Sequence, residues 1–398
     1  MNKMNFAEFF AGVGLVREGL RLHNWDCVWA NDISEDKRDT YVENFTHDDF
    51  HLEDIWEIVN RSSTIPDQVF LYTASFPCTD LSVAGGRKGL AGAESGTLNA
   101  FLQILKKKQQ TGAHPKVVML ENVAGFLTSH KGKDVAFTVA VLNDLGYVVD
   151  IIELDAAYFT PQSRQRVFLI AVESELAQEN MYIKEKYSFF DSWWINFHKN
   201  PKIRSSKVEH IIKSSPHLHW GLLDLPQPHN NAPNLNEIIQ IEIPNDSKLW
   251  WNDTRKEHLY SQMSILHKET LHAMIEKSRY SYGTVYRRMR KGKSMAELRT
   301  DGKAGCLRTP RGGSSKQILI RAGFGSWKVR LLTSREYARL QGVRDTFILP
   351  ENASKGYFAM GDAVCVPVIE YISEYILLPL YKRYLVAHPS AERLFANF

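Results

Sequence analysis

The feature that most constrains the fold is an alternation of short apolar runs with helical stretches over residues 1–172. The apolar runs are rich in β-branched and aromatic residues and are bounded by turn residues, which is typical of buried strands. They lie at residues 5–10, 26–30, 69–73, 117–120, 147–154 and 166–172. Helical spacing is found between them, at residues 15–23, 97–108 and 135–145. Strands that alternate with helices predict an α/β fold built on an open, parallel sheet.

Beyond residue 173 this alternation stops, and the composition shifts towards Trp, His, Pro and Asn. We interpret residues 1–172 as one domain and residues 173–328 as a second, smaller and irregular domain. Periodicity returns in residues 329–398, where Thr333 or Ser334 caps a helix that Gly342 closes. An apolar helix follows, from residue 366 to about residue 384.

Positive charge is concentrated in one part of the chain. The net charge is +4 overall, yet residues 279–330 contain fourteen basic residues and only Glu297 and Asp301 as acids. That segment therefore carries +12, which leaves −8 for the rest of the chain. Basic residues at this density indicate a face that binds a polyanion, although a solvated surface gives the same pattern.

The four cysteines, Cys27, Cys78, Cys306 and Cys365, are far apart and form no C-x-x-C pair. This spacing argues against a structural metal site and a disulfide framework, and it is compatible with a reduced compartment. No apolar run approaches the length of a membrane span, and the first residues contain no signal core. We therefore expect a cytoplasmic protein with no metal and no membrane association.

A cysteine follows one of the predicted strands. Residues 69–73 form this strand, Pro77 ends it because proline cannot extend a ladder, and Cys78 comes next. Ligands bind at the C-terminal edge of parallel strands, so a thiol at this position is placed for chemistry. Glu121 follows the strand at 117–120 and reaches the same edge. The alternatives are a small buried hydrophobe for the cysteine and a carboxylate satisfied by backbone N–H groups for the glutamate.

A turn with two glycines connects the first strand to the first helix. Gly12 and Gly14 let backbone N–H groups approach a ligand at the N-terminus of the helix. Arg17 occupies the third glycine position of G-x-G-x-x-G, which disfavours a dinucleotide but not a nucleoside. Asp32 lies 20 residues beyond Gly12, where an acid can hold two ribose hydroxyls. Asp54 and the apolar residue after it could bracket an adenine ring, although single aspartates at such positions are more often helix N-caps.

Two more stretches carry polar residues in a suggestive pattern. Residues 85–92 are rich in glycine and basic residues, which is typical of a mobile lid over a charged substrate. In residues 161–166 the side chains of Gln162, Arg164 and Arg166 alternate, so they share a face if the segment is extended. Surface salt bridges are the alternative role for the two arginines.

These stretches together resemble one family, the DNA cytosine-5 methyltransferases, in the single-chain form of bacterial modification enzymes. The matching motifs are Phe10-Ala11-Gly12-Val13-Gly14, Phe76-Pro77-Cys78, Glu121-Asn122-Val123, Gln162-Ser163-Arg164-Gln165-Arg166, Arg339-Leu340-Gln341-Gly342 and Gly361-Asp362-Ala363-Val364. Each motif is short, but they follow the family's order, and the basic segment lies between the fourth and the fifth. The resemblance covers the chain except its middle domain.

The resemblance implies a class I methyltransferase fold, with a Rossmann-like, mostly parallel sheet that contains one antiparallel strand. It implies that the last helix packs back beside the first strand, and that the irregular domain is a target-recognition domain. It also implies S-adenosyl-L-methionine as the methyl donor and double-stranded DNA as the partner of a monomeric enzyme.

By position, the resemblance assigns residues to each role. Cys78 becomes the nucleophile, Glu121 the acid at the ring nitrogen, and Arg166, with Arg164 beside it, the contact to the pyrimidine oxygen. The cofactor-binding residues are Phe10, Ala11, Gly12, Gly14, Asp32, Ile33, Asp54, Ile55, Pro77, Thr97, Leu98, Asp362 and Ala363. The resemblance does not cover the middle domain, and from charge and glycine content we expect these residues to bind DNA: Ser82, Arg87, Lys88, Arg287, Arg288, Arg290, Arg308, Arg311, Gly312, Gly313 and Lys316. We expect two loops to read the DNA, at residues 308–316 and 282–290.

Thr79, Asp80 and Asp362 depart from the family pattern, so contacts around the target base and one cofactor contact do not carry over directly. The leading interpretation is a sequence-specific DNA cytosine-5 methyltransferase, either part of a restriction-modification system or a solitary modification enzyme. A tRNA cytosine methyltransferase on the same scaffold and a non-catalytic DNA-binding regulator are the alternatives. The long basic middle segment favours DNA over tRNA, and the intact catalytic set argues against a regulator.

Overall fold

The computed structural model describes residues 4–45, 47–77, 96–184, 192–290, 292–309 and 316–389. The chain divides into two compact units. The first unit comprises Met1–Leu154, Gln165–Pro228 and Val368–Phe398, and the second comprises Asp155–Arg164 and His229–Pro367.

The first unit is built on a seven-stranded sheet. Its strands are β1 (Met4–Phe9), β2 (Trp25–Asp32), β3 (Phe50–Leu52), β4 (Leu71–Ala74), β5 (Val117–Val123), β6 (Tyr147–Asp155) and β7 (Gln165–Glu173), and a separate pair is formed by β8 (Tyr182–Ile183) and β9 (Gly221–Leu222). The order across the sheet is β3-β2-β1-β4-β5-β7-β6. Pairs from β3 to β5 are parallel, and β7 runs antiparallel to β5. The predicted α/β sheet, mostly parallel with an antiparallel strand, is therefore confirmed.

The central strands of this sheet are buried on both faces. Every residue of β1 and β4 is buried, and so is β5 except for Val123. A strand covered on both faces needs apolar residues at successive positions, which explains why residues 117–120 of β5 form a continuous apolar run rather than an alternating one.

Helices cover the sheet of the first unit. They are α1 (Leu15–Arg21), α2 (Glu35–Asn44), α3 (Ile55–Asn60), α4 (Thr97–Gln110), α5 (Lys133–Asp144), α6 (Ser174–Asn180), α7 (Ser192–His198) and α8 (Ser206–Ser214). In α4, Leu98, Phe101 and Leu105 lie three or four residues apart and are all buried. This spacing gives the helix one apolar face, which packs on the core.

The second unit contains a smaller antiparallel sheet and its own helices. Its elements are α9 (Leu235–Ile238), α10 (Asp253–Ser261), α11 (Ile265–Ile275), β10 (Ser281–Arg290), β11 (Lys293–Arg299), β12 (Ile318–Gly323), β13 (Ser326–Leu331), α12 (Ser334–Leu340) and α13 (Ala353–Asp362). The strand order is β11-β10-β12-β13. Thr333 and Glu336 form a capping box at the start of α12, as the sequence predicts, and Gly342 beyond its end has a φ of +73°.

The domain boundaries differ from those predicted at residues 172 and 328. Residues 173–228 belong to the first unit, and residues 329–367 belong to the second. Arg204 Nη2 lies 2.5 Å from Asp150 Oδ2 on β6, and Val208 of α8 is part of the main core. The bounds of the compact units differ from the predicted domain bounds because loss of strand and helix alternation does not mark the point where a chain leaves a core.

From Val368 onwards, the C-terminal helix belongs to the first unit. It consists of α14 (Val366–Ile372), a π-helical segment (Ser373–Leu377) and α15 (Leu378–Ala387). Trp25 Nε1 donates a hydrogen bond of 3.1 Å to Ser373 Oγ. The ring of Tyr381 packs on Trp25 and Phe70, at centroid distances of 5.9 and 5.0 Å. These two residues lie at the N-terminal ends of the strands that flank β1, which agrees with the expected position of the helix.

Within the described residues, the helical run Ala353–Ala387 is long and apolar enough to cross a membrane by length and composition alone. However, 61% of its most apolar window is buried inside the protein. Core helices of soluble proteins share this composition, so the run is no argument for a membrane.

Candidate active site

Glu121 and Arg166 meet at the C-terminal edge of β5. Antiparallel pairing sets Glu121 opposite Phe168 and Val123 opposite Arg166, so the two charged side chains are diagonal neighbours on one face of the sheet. Arg166 Nε lies 3.0 Å from Glu121 Oε1. Their side chains are 14% and 9% exposed, so the pair is largely shielded from water. The structure therefore brings together the predicted acid and the predicted arginine.

Asn122 fixes the chain that leads from β4 to the predicted nucleophile. Its Nδ2 donates a hydrogen bond of 3.0 Å to the carbonyl oxygen of Phe76, and its Oδ1 accepts one from Val123 N. The ring of Phe76 also packs edge-on against Phe126, at a centroid distance of 5.5 Å. The strand end that leads to Pro77 is thus held beside the residue that follows Glu121.

The other predicted residues of this region lie outside the described residues. They are Cys78, Thr79, Asp80, Ser82, Arg87 and Lys88.

The turn after β1 has the geometry of a ligand cradle. Phe10, Gly12 and Gly14 have φ values of +57°, +59° and +80°. A Cβ at Gly12 would meet no atom of the described residues within 4 Å, so among these residues the space in front of this backbone is open. A Cβ at Gly14 would instead overlap the rings of Tyr41 and Phe45. The two glycines therefore serve different purposes, one facing open space and the other allowing close packing on α2 and the residue that follows it.

Asp32 ties this turn to the end of β2. Its Oδ2 accepts a hydrogen bond of 2.9 Å from Gly12 N, and its Oδ1 accepts one of 2.9 Å from Ser34 N. Ala11 N also donates to the carbonyl of Asn31, at 2.8 Å. Carboxylate oxygens can accept more than one hydrogen bond, so Asp32 can still receive ribose hydroxyls. Ile33 beside it is 67% exposed and offers an apolar surface for a ring.

Some predicted cofactor residues have other roles in the structure. Asp54 caps α3, since its Oδ1 accepts a hydrogen bond of 2.9 Å from Trp56 N. The side chains of Ile55 and Leu98 are 4% and 0% exposed and pack in the core. They are part of the core packing, whereas Ile33 is 67% exposed. Thr97 is the first residue of α4.

A buried polar cluster that the sequence interpretation missed lies beneath the cradle. Arg17 Nη1 is 2.7 Å from both Tyr41 Oη and Asp49 Oδ2, and its guanidinium lies over the Phe45 ring at 4.8 Å. Glu8, on β1, is only 2% exposed, and its Oε2 has no hydrogen-bond partner among the residues that the structure describes. Burial raises the pKa of the Glu8 carboxyl to about 8, against the opposing charge of Arg17. The sequence signal that could have indicated this cluster is Glu8 itself, an acidic residue in the middle of a mostly apolar strand.

Gln162, Arg164 and Gln341 form a buried polar group in the second unit, which we call the clasp. Arg164 Nη1 donates to Leu307 O at 2.8 Å, and its Nη2 donates to Gly361 O at 3.0 Å and to Ala363 O at 2.6 Å. The clasp residues are at most 1% exposed.

The clasp changes the assignment of Arg164. Its guanidinium binds backbone carbonyls in the second unit, whereas Arg166 pairs with Glu121 in the first. Gln162 and Arg164 thus have their partners in the second unit and Arg166 has its partner in the first, and the shared face of the three side chains stays a prediction. A catalytic role for Arg164 does not fit these contacts. Asp362 and Ala363 form the turn that the clasp holds.

The predicted recognition loop at residues 282–290 is a strand. β10 pairs with β11 as a hairpin up to Arg290, so the prediction of a loop was wrong. The Gly and Arg residues of this segment are typical of loops, although they form a paired strand here. Arg288 and Arg290 point to one face, and both contact Glu297, at 3.1 and 3.0 Å. Arg287 alternates with them, so it lies on the opposite face and is less exposed.

Tyr286 connects this hairpin to the second predicted reading stretch. Its ring lies 5.4 Å from the guanidinium of Arg288 and 5.6 Å from that of Arg308. Lys316 Nζ lies 4.7 Å from the ring of Tyr357. Arg311, Gly312 and Gly313 lie outside the described residues.

No group of three or more His, Cys, Asp or Glu side chains that could hold a metal ion occurs in the part of the chain that the structure describes.

Comparison with known proteins adds a family to this geometry. A family model described as C-5 cytosine-specific DNA methylase matches residues 4–377. The type II methyltransferase M.MspI of Moraxella sp is 25% identical over 377 residues, which cover 94% of this chain and 71% of that protein. The type II methyltransferase M.HhaI of Haemophilus parahaemolyticus is 24% identical over 373 residues, which cover 93% of each chain.

Solved structures share the fold. The S. pombe Dnmt2 methyltransferase has a TM-score of 0.59 at 16% sequence identity, with 95% of this chain and 99% of that chain covered. A putative DNA modification methyltransferase encoded within an E. coli prophage has a TM-score of 0.53 at 18% identity, with 96% and 100% covered. At these identities the likeness concerns the fold alone.

Proposed function

The chain belongs to the C-5 cytosine-specific DNA methylase family, and we propose that Cys78, Glu121 and Arg166 perform its DNA cytosine-5 methyltransferase chemistry. The observation that carries this assignment is the 3.0 Å contact between Arg166 and Glu121. The hydrogen bond from Asn122 to Phe76 supports it, because it fixes the chain that enters the Cys78 segment beside this pair. Cys78 follows Pro77 directly in the sequence.

The proposed chemistry begins with the Cys78 thiolate. C5 of cytosine is a poor nucleophile, so the thiolate adds to C6, and the electrons of the C5–C6 double bond become available at C5. Density also moves onto N3 and O2 of the ring. Glu121 donates a proton at N3, and the guanidinium of Arg166 stabilises the charge at O2. After C5 has been methylated, a base removes the C5 proton, which restores the double bond and expels the thiolate. The proton on N3 returns to Glu121, so the enzyme is left unchanged.

The proposed methyl donor is S-adenosyl-L-methionine, which supplies an electrophilic methyl group when bound. The cradle fits such a ligand, because the backbone of Gly12 faces open space and Asp32 and Ile33 lie at the end of the adjacent strand. Phe10, Ala11 and Gly14 shape this turn. We propose that Pro77, Thr97, Asp362 and Ala363 complete the contacts to the cofactor. Asp54 acts as the cap of α3.

The second unit is proposed to bind double-stranded DNA. Arg288 and Arg290 are 48% and 61% exposed on the β10–β11 hairpin, and Arg308 lies over the same tyrosine as Arg288. Guanidinium groups bind phosphates and guanine edges. The target base must leave the stack to reach a thiolate, which requires a few kcal/mol that contacts to DNA offset. We further propose a cytoplasmic monomer.

Methylation of duplex DNA, single-stranded DNA and tRNA by the purified chain, followed by sequencing of the modified cytosines, tests this function. We expect methyl groups at C5 of cytosine within one short duplex sequence. Methylation confined to tRNA would contradict the DNA assignment, and absence of methylation from every substrate would contradict the catalytic assignment.

A further inference from the structure

The clasp holds the backbone of Leu307, in the second unit, from two sides. Leu307 N donates a hydrogen bond of 3.1 Å to Gln162 Oε1, and Leu307 O accepts one of 2.8 Å from Arg164 Nη1. Arg308 and Thr309 follow directly, and Arg308 stacks on Tyr286 of the hairpin. The clasp therefore fixes the backbone from which this side of the DNA-reading surface extends.

The same side chains hold the turn at the end of α13. Gln341 Nε2 donates to Met360 O at 2.6 Å and to Ala363 O at 3.0 Å. Arg164 Nη2 donates to Gly361 O and Ala363 O. Gln162 Nε2 lies 3.2 Å from Gln341 Oε1, so the side chains that hold Leu307 and the turn are also bonded to each other.

The two held segments also touch directly. A Cβ at Gly361 would lie 2.6 to 2.7 Å from the backbone C and O of Arg308 and the N of Thr309. Real Cβ contacts are not so short, so the backbones approach as closely as they do only because residue 361 has no side chain. A shift of either segment must be followed by the other, since a close-packed contact does not deform continuously.

We propose that Arg164 is a positioning residue that couples DNA binding to cofactor binding. Its rigid, planar guanidinium joins the start of the DNA-reading stretch to the Asp362–Ala363 turn, and both ends are backbone carbonyls. The proposal rests on the proposed function, which assigns DNA to Arg308 and cofactor to Asp362 and Ala363. Coupling of this kind is reciprocal, so a bound cofactor analogue raises DNA affinity by the same factor by which DNA raises affinity for the analogue.

The experiment measures the coupling factor between DNA binding and cofactor binding in Arg164→Lys. Lysine keeps the positive charge but lacks the planar guanidinium that donates to several carbonyls at once. The dissociation constant of a duplex containing the methylated sequence is measured by fluorescence anisotropy, with and without S-adenosylhomocysteine. Arg330→Lys is the matched control. Arg330 is equally buried in the same unit but binds Glu336 and Gln240 rather than the clasped segments.

We expect S-adenosylhomocysteine to tighten DNA binding by roughly 5-fold or more in the wild type and in Arg330→Lys, and by less than about 2-fold in Arg164→Lys. The affinity of Arg164→Lys for S-adenosylhomocysteine is also measured without DNA, so that loss of coupling is separated from loss of binding. A merely structural role would weaken each affinity and leave their coupling intact.

A coupling factor unchanged in Arg164→Lys, or absent from a wild type that methylates DNA, would overturn the proposal. If Arg164→Lys does not fold, Gln341→Met provides the same measurement, because it removes the donors to Met360 and Ala363 and leaves Arg164 in place. A wild type that methylates no cytosine would instead overturn the proposed function, so the two failures are distinct.

Discussion

Replacement of Glu8 by Gln should change how the stability of the protein depends on pH. Burial raises the pKa of Glu8 from the ordinary 4.5 to about 8 in the folded protein. The folded state therefore binds the proton more tightly than the unfolded chain does. The resulting contribution to stability is complete below pH 4.5 and is lost as the pH rises through 8.

The size of this effect follows from the pKa difference. One pKa unit corresponds to about 1.4 kcal/mol, so the whole shift is on the order of 5 kcal/mol. Between pH 5.5 and 8, roughly 3 kcal/mol of stability should be lost by the wild type and kept by Glu8→Gln, because glutamine stays neutral.

Denaturant unfolding at a series of pH values between 5.5 and 8.5 measures the difference. Glu179→Gln is the control, since Glu179 is an exposed residue of α6 and its replacement should leave the pH dependence unchanged. Glu8→Gln should gain stability relative to the wild type as the pH rises. Parallel stability curves for the wild type and Glu8→Gln would refute the account of Glu8 as a buried, neutral acid.

Other substitutions test the remaining assignments. Glu121→Gln keeps the shape of the side chain but loses the acid, so turnover should fall on the order of 10²–10⁴-fold while the dissociation constant for DNA changes little; weak binding with normal turnover would make Glu121 structural. Gly14→Ala should destabilise the fold by roughly 2–5 kcal/mol in denaturant unfolding, because the new Cβ overlaps Tyr41 and Phe45. Gly12→Ala, with a similar φ but open space, should cost only about 1 kcal/mol, and equal losses would contradict the cradle geometry. Arg311→Ala should lose about 1–3 kcal/mol at one base of the recognised sequence if Arg311 reads that base, or about one counterion in the salt dependence if it binds phosphate; a methylation assay over a randomised site at two salt concentrations that shows neither change would remove it from the interface.

The sheet could be predicted from the sequence because each of its strands is indicated by residues that are neighbours in the chain. A strand buried on both faces is mostly apolar at successive positions. Two glycines between the first strand and the first helix predict the tight turn after β1. Glu121 could be placed for the same reason, since the end of a parallel strand defines the edge where its next residue lies. Its pairing with Arg166 became clear only from the structure, in which β7 is the antiparallel neighbour of β5.

Arg164 could not be placed in this way, because its partners are distant in sequence. Leu307 and Ala363 lie 143 and 199 residues away, and no local pattern connects them to residue 164. The hairpin at β10 and β11 was missed for another reason. Glycine and arginine at residues 282–290 are typical of loops. The cross-strand pairs that stabilise this segment as a strand are known only once its register with β11 is known.

Adduct formation with 5-fluorocytosine tests the central claim most directly. A fluorine at C5 cannot leave as a proton does, so a thiolate that adds to C6 remains covalently bound to the DNA after methyl transfer. Duplex DNA carrying 5-fluorocytosine at the target, incubated with the wild type and S-adenosyl-L-methionine, should yield a complex that survives denaturing electrophoresis. Cys27→Ala, which changes a buried cysteine of β2, should form the same complex. Cys78→Ala should form none while keeping its fold, and a denaturation-resistant complex or continued turnover in Cys78→Ala would contradict the account.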